Sequence, residues 1–323
     1  MEYFDDQYWQ VLVEIPGSEL KINQSLLYRY LLVQEDAETI VEWGNDRAID
    51  LNKITAEEVK LLDTWNHAGE FENVFYTAPF RDVLLPIKKQ HIKPRPYRGN
   101  THVFKVKAPL LGPNEMVCLT GSAKTMGSWI SESAQPMLLE NEWWVIKLNL
   151  SKEDFPLTYK YAIQDIKTGN FIQYENGNNR VLYETKGKKK VTILHDGFAQ
   201  FPNNIWRSTG LAIPVFSLRS HKSFGVGEFT DLHLLVDWAK KLGMRMIQIL
   251  PVNDTISTKT FQDSYPYSAI SAFALHPIYL NLEKIAGKDF SASIHTLRKK
   301  QKQLNDLADI DYVSVLHNKP RVI

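Results

Sequence analysis

Trp129, Lys160, Tyr174 and Asn179 together offer two aromatic rings, an ammonium and an amide. Trp129 ends the turn Gly121-Ser-Ala-Lys-Thr-Met-Gly-Ser-Trp129, a glycine- and serine-bearing stretch where a core tryptophan is out of place. Exposed rings stack on the apolar faces of pyranose rings, and polar groups beside them hydrogen-bond the hydroxyls. The same residues also fit a plainer reading, in which Trp129 covers a hydrophobic edge and Tyr174 packs within a strand. A second group, Ser264, Tyr265 and Tyr267 of Asp263-Ser-Tyr-Pro-Tyr267, lies in a polar and aromatic loop after an apolar run.

Other chemistries are poorly served. Gly225-Val-Gly-Glu228 lacks the third glycine of a dinucleotide loop, and Glu228 would repel a pyrophosphate at a helix start. His221, His233 and His276 show no paired metal-ligand spacing, and the chain has neither a Gly-x-Ser-x-Gly elbow nor a P-loop. No cofactor and no metal is therefore expected. With 38 Lys+Arg against 37 Asp+Glu the formal charge is +1, too small a field to attract nucleic acid or an anionic membrane. No apolar run reaches the roughly 18 residues a bilayer span needs, and the acidic start Met1-Glu-Tyr-Phe-Asp-Asp6 does not read as a signal peptide. One cysteine, Cys118, excludes an internal disulfide and fits a reducing, cytoplasmic compartment, so the sequons at Asn23, Asn149 and Asn253 are discounted.

The elements that must position these groups fall into two patterns. Tyr8-Trp9-Gln-Val-Leu-Val-Glu-Ile-Pro16 and Trp143-Trp144-Val-Ile-Lys-Leu-Asn-Leu150 both alternate at period two, as half-buried strands do. The echo continues in Tyr28-Arg29-Tyr30 and Tyr159-Lys160-Tyr161, and Trp43 and Tyr174 each lie 14 residues beyond the central basic residue. Arg47 and Arg180 follow. A front half, 100 to 141, precedes only the second copy, so Met1 is expected to lie inside a domain. Residues 1–78 thus read as the back half of a first module with an extension, 79–99 as an extended, proline- and lysine-rich linker, and 100–198 as a complete module.

After Pro202 the pattern turns to strand, helix, strand. Gly210-Leu-Ala-Ile-Pro-Val-Phe-Ser217 reads as a strand covered on both faces, and Met244 to Val252 as the next. Between them Thr230 caps a helix carrying Leu232, Leu235, Val236, Ala239 and Leu242, and Gly243 ends it. This spacing implies a parallel sheet, in a barrel or a doubly wound fold. The charged stretch Leu297 to Asp309 reads as helix or insertion.

The motifs Gly127-Ser-Trp129, Trp143-Trp144, Tyr159-Lys160-Tyr161 and Gln173-Tyr174-Glu-Asn-Gly-Asn-Asn179-Arg180 resemble, in order, a starch-binding domain of carbohydrate-binding module family 20 over residues 100–197. The resemblance implies an immunoglobulin-like β-sandwich whose glucan site falls on Trp129, Tyr174, Lys160 and Asn179. Two positions depart from the family: Tyr174 stands where tryptophan is usual, and Pro113 stands near the tyrosine of a second site. The first copy resembles the back half of the same module, with Trp43 and Arg29 at the aromatic and basic positions, and is given no site.

Phe216-Ser-Leu-Arg-Ser220, Phe224-Gly-Val-Gly-Glu-Phe229, Leu250-Pro-Val-Asn-Asp-Thr255 and Asp263-Ser-Tyr-Pro-Tyr267 resemble glycoside hydrolase family 77, the amylomaltases or 4-alpha-glucanotransferases, of the plant-cytosolic type with tandem starch-binding modules. This implies a multidomain chain in which residues 199–323 begin a (β/α)8 TIM barrel. Strand C-terminal ends carry the active site in such barrels. In the family the Pro-Tyr tyrosine, here Tyr267, stacks under the sugar beside the cleaved bond; Tyr265 and Ser264 share its loop. The implied partners are α-1,4-glucans: maltose, maltodextrin, starch or glycogen. The family's catalytic carboxylates lie on later strands, and none of Asp231, Asp237, Asp254 or Asp263 matches their motifs. An inactive N-terminal fragment is therefore expected; the rival is a non-catalytic glucan-binding scaffold.

Overall fold

Period-two alternation drives Tyr159, Tyr161 and Ile163 of the strand Leu157–Asp165 into a core while Lys160 goes to the other face. This computed structural model describes the chain except residues 6–7, 17–24, 36–37, 51–55, 86–98, 184–188, 286–290 and 320–323, and only the backbone of 291–294. It divides into two units, Met1–Trp206 and Arg207–Ile323.

The first unit is built on a β-sandwich. One sheet runs Gln135–Pro136, Glu115–Gly121, Leu157–Asp165, Phe171–Tyr174, with Arg180–Leu182 also pairing to Leu157–Asp165. The other runs Leu138–Glu140, Trp143–Leu148, His102–Lys107, Lys190–Phe198, Glu58–Asp63, the last two pairings being parallel. Phe104, Val106, Leu119, Trp144, Ile146 and Tyr161 share one core between them. Each such side chain, fully buried, contributes roughly 1.5–3 kcal/mol. Cys118 lies on the opposite face of its strand against Ala134 and Ala162, and burial pushes its thiol up to about 12.

Several expected boundaries move. Glu58–Asp63 joins the second module's sheet across the expected linker, because Leu62, opposite Leu194, packs against the sandwich core at the free edge of Lys190–Phe198. Ala199 and Phe201 enter the sandwich core, and Asn204 hydrogen-bonds Glu115 and the Leu110 carbonyl, so residues 199–206 close the first unit instead of opening the second. Pro79–Leu84 winds into a π-helical turn, not an extended connector, with the Phe80 ring held between Phe75 and Trp206 at centroid distances of 5.3 and 5.1 Å. The basic residues Lys88, Lys89, Lys93, Arg95 and Arg98 lie outside the described residues. The expected strand Tyr8–Pro16 is reduced to Trp9–Gln10, and its apolar side chains are uncovered, Leu12 being 84% exposed.

In the second unit Gly210–Ile213 pairs in parallel with Met246–Ile249, and the helix Asp231–Lys241 connects them. Pro214 ends the first strand, and the following residues form a 3-10 turn, Val215–Leu218. Neither strand is covered on both faces: Met246 and Ile249 are exposed, as are Leu234, Trp238 and Leu242 on the helix side. Thr230 occupies the helix N-cap in an αR backbone and its hydroxyl makes no capping bond. Asp231 does the local work instead, its carboxylate accepting from the Glu228 amide and the Ser220 and Ser223 hydroxyls. Gly243 ends the helix at φ +75°: its amide reaches the Lys240 carbonyl at 3.1 Å and Met244's reaches Ala239's at 3.0 Å, the Schellman pattern.

A second core gathers Val215, Phe224, Val226, Ile278, Leu304 and Val315. Inside it Lys319 (0% exposed) meets Glu228 (1%) at 2.5 Å, and Asn281 satisfies the other Glu228 oxygen. The stretch after Leu297 belongs to the helix Ser291–Asn305, whose end is held by Arg219 through the Leu307 carbonyl. Among the described residues no helix is long and apolar enough to cross a membrane.

Candidate functional site

Register decides which side chains share a face. Lys160 lies opposite Thr120, Ala162 opposite Cys118 and Tyr174 opposite Ala162, so Lys160 and Tyr174 emerge on the outer face of one sheet. The Lys160 ammonium donates to the carbonyls of Glu175 (3.2 Å) and Gly177 (2.7 Å), tying the strand to the turn that presents Asn179. Asn179 itself is exposed.

Trp129 reaches the same end of the sheet by another route. Its amide donates to the Gly121 carbonyl at 2.9 Å, and Gly121 lies opposite Tyr159, beside Lys160. The approach needs three successive left-handed residues, Gly127, Ser128 and Trp129, at φ of 89°, 49° and 62°. Such backbone is rare outside glycine and is kept where the surrounding structure over-determines it. A Cβ on Gly127 would stand 2.4 Å from the Ser133 carbonyl oxygen, so only glycine passes there. The indole is half-buried. Tyr174 is also half-buried, packing on Phe171 at 4.6 Å, and thus has one packed and one open side.

A layer of charge behind these groups was not apparent from residue types alone. Arg180 donates from two nitrogens to Glu175 (3.0 and 2.8 Å), whose Oε1 also accepts from the Tyr161 amide at 2.9 Å. Tyr159 and Tyr161 both donate to Asp196, at 2.9 and 2.6 Å. Burial pushes Asp196 up from the usual carboxylate range, against the pull of Arg180 and the two phenols. Thr120, under Lys160, is another residue that sequence reasoning missed: among the described residues its buried hydroxyl has no hydrogen-bond partner.

The first copy repeats most of this layer, although Glu42 Oε1 accepts from the Asn66 amide where Glu175 accepts from Tyr161's. Arg29 donates to the Gly44 carbonyl (2.8 Å) as Lys160 does to Gly177's, Arg47 pairs with Glu42, and Tyr28 and Tyr30 donate to Asp63 at 2.7 and 2.8 Å. The Glu42 amide donates to the Tyr30 carbonyl as Glu175's does to Tyr161's. This fixes the alignment of Glu42 with Glu175, and so of Trp43 with Asn176 and of Val41 with Tyr174. The equal 14-residue spacing of Trp43 and Tyr174 is thus misleading, because the second copy has two more residues between Tyr161 and Glu175.

In the second unit Ser264 ends the 3-10 turn Phe261–Ser264, and Tyr265 and Tyr267 follow with ring centroids 5.5 Å apart. They are 59% and 58% exposed. His276 is committed to structure: its Nδ1 accepts from the Ile278 amide at 3.1 Å and its Nε2 faces the Tyr312 hydroxyl at 2.9 Å. Burial holds its basicity below the usual histidine range.

Residues 100–194 match the starch binding domain profile, and residues 213–323 match the 4-alpha-glucanotransferase profile of glycoside hydrolase family 77. A 4-alpha-glucanotransferase of Oryza sativa subsp. japonica is 32% identical over 308 residues, covering 90% of this chain and 32% of the relative. The 4-alpha-glucanotransferase of Chlamydia muridarum is 35% identical over 107 residues, covering 33% of this chain and 19% of the relative. The chain therefore spans a third or less of the curated relatives it matches. A solved family 20 module from the maltotetraose-forming amylase of Pseudomonas saccharophila aligns with 29% of this chain and 97% of that one, at 16% identity and a TM-score of 0.25, too low to bear weight. By these two profile matches, residues 100–194 are similar to a starch binding domain and residues 213–323 to a segment of the 4-alpha-glucanotransferases of glycoside hydrolase family 77.

Proposed function

We propose that residues 100–198 bind α-1,4-glucan through Trp129, Tyr174, Lys160 and Asn179, and that the second unit begins the TIM barrel of a glucanotransferase. The observation that carries the binding site is the attachment of two turns to neighbouring strands: the Trp129 turn to Gly121, and the Asn179 turn to Lys160. A stacking ring and hydrogen-bonding groups then belong to one rigid sheet, which lowers the ordering cost of binding. The parallel strand–helix–strand order of residues 210–249 supports the barrel reading.

The activity proposed for the whole protein is transfer of glucan units between α-1,4-glucans with retention. One carboxylate attacks the anomeric carbon and holds the glucan covalently; a second carboxyl group, about 5 Å away, protonates the departing oxygen and then deprotonates the incoming sugar hydroxyl. In this chain Asp231 and Asp263 are both bound to backbone amides, as is Asp254 through Ile256. No catalytic acid is assigned to them, and the chain alone is expected to transfer no labelled glucose from maltose to glycogen above a boiled control. Tyr267, Tyr265 and Ser264 are proposed to contact the glucan in the barrel loop. A cytoplasmic location fits the lone, buried Cys118.

The binding site is tested by Trp129→Ala in amylopectin gel electrophoresis. Loss of one stacking anchor should cost about 1–3 kcal/mol, roughly 5- to 150-fold in affinity, and should abolish retardation. The melt should stay nearly unchanged, because a half-exposed ring contributes little to the core. Unaltered retardation with an intact fold would place the glucan elsewhere.

A further inference from the structure

Tyr265 and Tyr267 project from a turn that is closed around one carboxylate. Asp263 is 5% exposed, and its oxygens accept from the successive amides of Ser257 (3.1 Å), Thr258 (3.0 Å) and Lys259 (2.6 Å) and from the Thr258 hydroxyl (2.9 Å). Successive amides converging on one anion form a concave nest, whose partial positive charge a carboxylate fills well. Lys259 takes part at φ +60°, a left-handed conformation that costs energy unless something holds it. The Asp263 backbone carbonyl is clamped from below by the Thr255 hydroxyl at 2.5 Å and the Tyr312 hydroxyl at 3.2 Å. Asp263 therefore joins the strained outer turn to the buried core around Tyr312.

The tyrosines have no such anchor of their own. Among the described residues neither phenol hydroxyl makes a hydrogen bond, and both rings are more than half exposed. Their placement follows from the backbone that leaves the turn at Ser264, passes Pro266 and closes through the Ser268 amide on the Tyr265 carbonyl at 3.2 Å. Whatever fixes residues 257–263 fixes the ring pair. We propose that Asp263 is a positioning residue that holds Tyr265 and Tyr267 as a preset, glucan-facing pair. This rests on the proposed role of Tyr267 as a glucan contact. The Asp263 carboxyl stays below the usual carboxylate range: burial raises it, and the hydrogen bonds from Thr258, Ser257 and Lys259 more than offset that.

The test places 3-fluorotyrosine at position 267 of the full chain and follows its fluorine resonance with pH. The wild-type signal should hold still on acidification until the pH falls below the ordinary carboxylate value of about 3.9, and then move as Asp263 takes up its proton. Asp263→Asn should show a displaced or broadened signal at every pH, with no titration. Exchange of the Ser257, Thr258 and Lys259 amides should then quicken by about tenfold or more, as expected for lost bonds to a charged acceptor. Asp165→Asn, which loosens the caps on the Lys167 and Thr168 amides of the first unit, should leave the Tyr267 signal in place. A Tyr267 signal unchanged by Asp263→Asn overturns the proposal. Should that variant fail to fold, Thr258→Val removes a single donor and should move the signal part of the way; an unmoved signal overturns the proposal equally. Maltoheptaose tests the underlying reading separately: a wild-type signal that ignores the sugar rejects Tyr267 as a glucan contact and leaves the positioning result standing.

Discussion

The two copies of the Tyr-basic-Tyr segment build the same polar cluster on very different supports. In the second copy Tyr159, Tyr161, Glu175, Arg180 and Asp196 back onto a core that contains Phe104, Leu119 and Trp144. In the first, Tyr28 and Tyr30 bond Asp63 and Arg47 bonds Glu42 in the same way, yet Leu27, Leu31, Leu32 and Val41 beside them are exposed. The cluster is therefore specified by short-range spacing, whereas the core requires the opposite sheet. Asp63 also differs from Asp196 in its company: besides the two tyrosines it meets His195 of the second module at 2.5 Å, so the first copy is fastened to the second through a shared carboxylate.

Breaking the two Arg–Glu pairs should give the largest contrast. Glu175→Ala leaves Arg180 only its looser approach to Asp196 at 4.0 Å and its carbonyl bonds, and strips the acceptor from the buried Tyr161 amide, which should cost about 1–3 kcal/mol for the amide alone and lower the melt of the first unit. Glu42→Ala should lower the melt less, because Arg47 keeps the Asp63 carboxylate at 3.5 Å and the strands around it bury little apolar surface. Equal losses in the two melts would show that the copies are equally supported.

The fastening between copies should respond to acid. His195 is held below the usual histidine range, first by burial and then by the nearby Lys105 and Arg47, while Asp63 pulls the other way. Asp63 lies below the usual carboxylate range: burial raises it, but hydrogen bonding to His195 and the charge of Arg47 outweigh that. Below about pH 6.5 the unfolded chain protonates this histidine before the folded chain does, so stability falls with pH. The Asp63 contribution is present above about pH 3.9 and is lost later, as pH drops through its depressed folded value. Urea midpoints at pH 7.5 and 5.5 should therefore separate for the wild type and draw together for His195→Gln. A wild-type midpoint that does not fall would remove His195 from the fastening.

The smallest effect is expected at the aromatic of the first copy. Because Trp43 aligns with Asn176 and not with Tyr174, Trp43→Ala should leave amylopectin retardation unchanged within about twofold, an effect under 0.5 kcal/mol. A loss as large as that from Trp129→Ala would give the first copy a glucan site of its own.

Composition, the period-two strand Trp143–Leu148, the tandem motif and the strand–helix–strand order were legible in the residues, because each depends on neighbours a few positions apart, whereas Tyr8–Pro16 kept only Trp9–Gln10 as strand. So were Trp129, Lys160, Tyr174 and Asn179 as a candidate set, since turn glycines and residue types announce them. The alignment of the two copies was not: counting from Lys160 put Trp43 against Tyr174, and only the bonds from Glu42 and Glu175 corrected it. The role of Asp263 was equally hidden, because a carboxylate beside threonines is ordinary until three amides turn toward it. The sequence by itself determined that Trp143–Leu148 and Leu157–Asp165 alternate as strands and which side chains suit a sugar. Tertiary structure decided that Glu58–Asp63 completes another module's sheet, that Asp63 reaches His195, and that Lys319 neutralises Glu228 in the core. Those partners lie 91 to 132 residues apart along the chain, and no local period encodes which distant edge or charge will meet them.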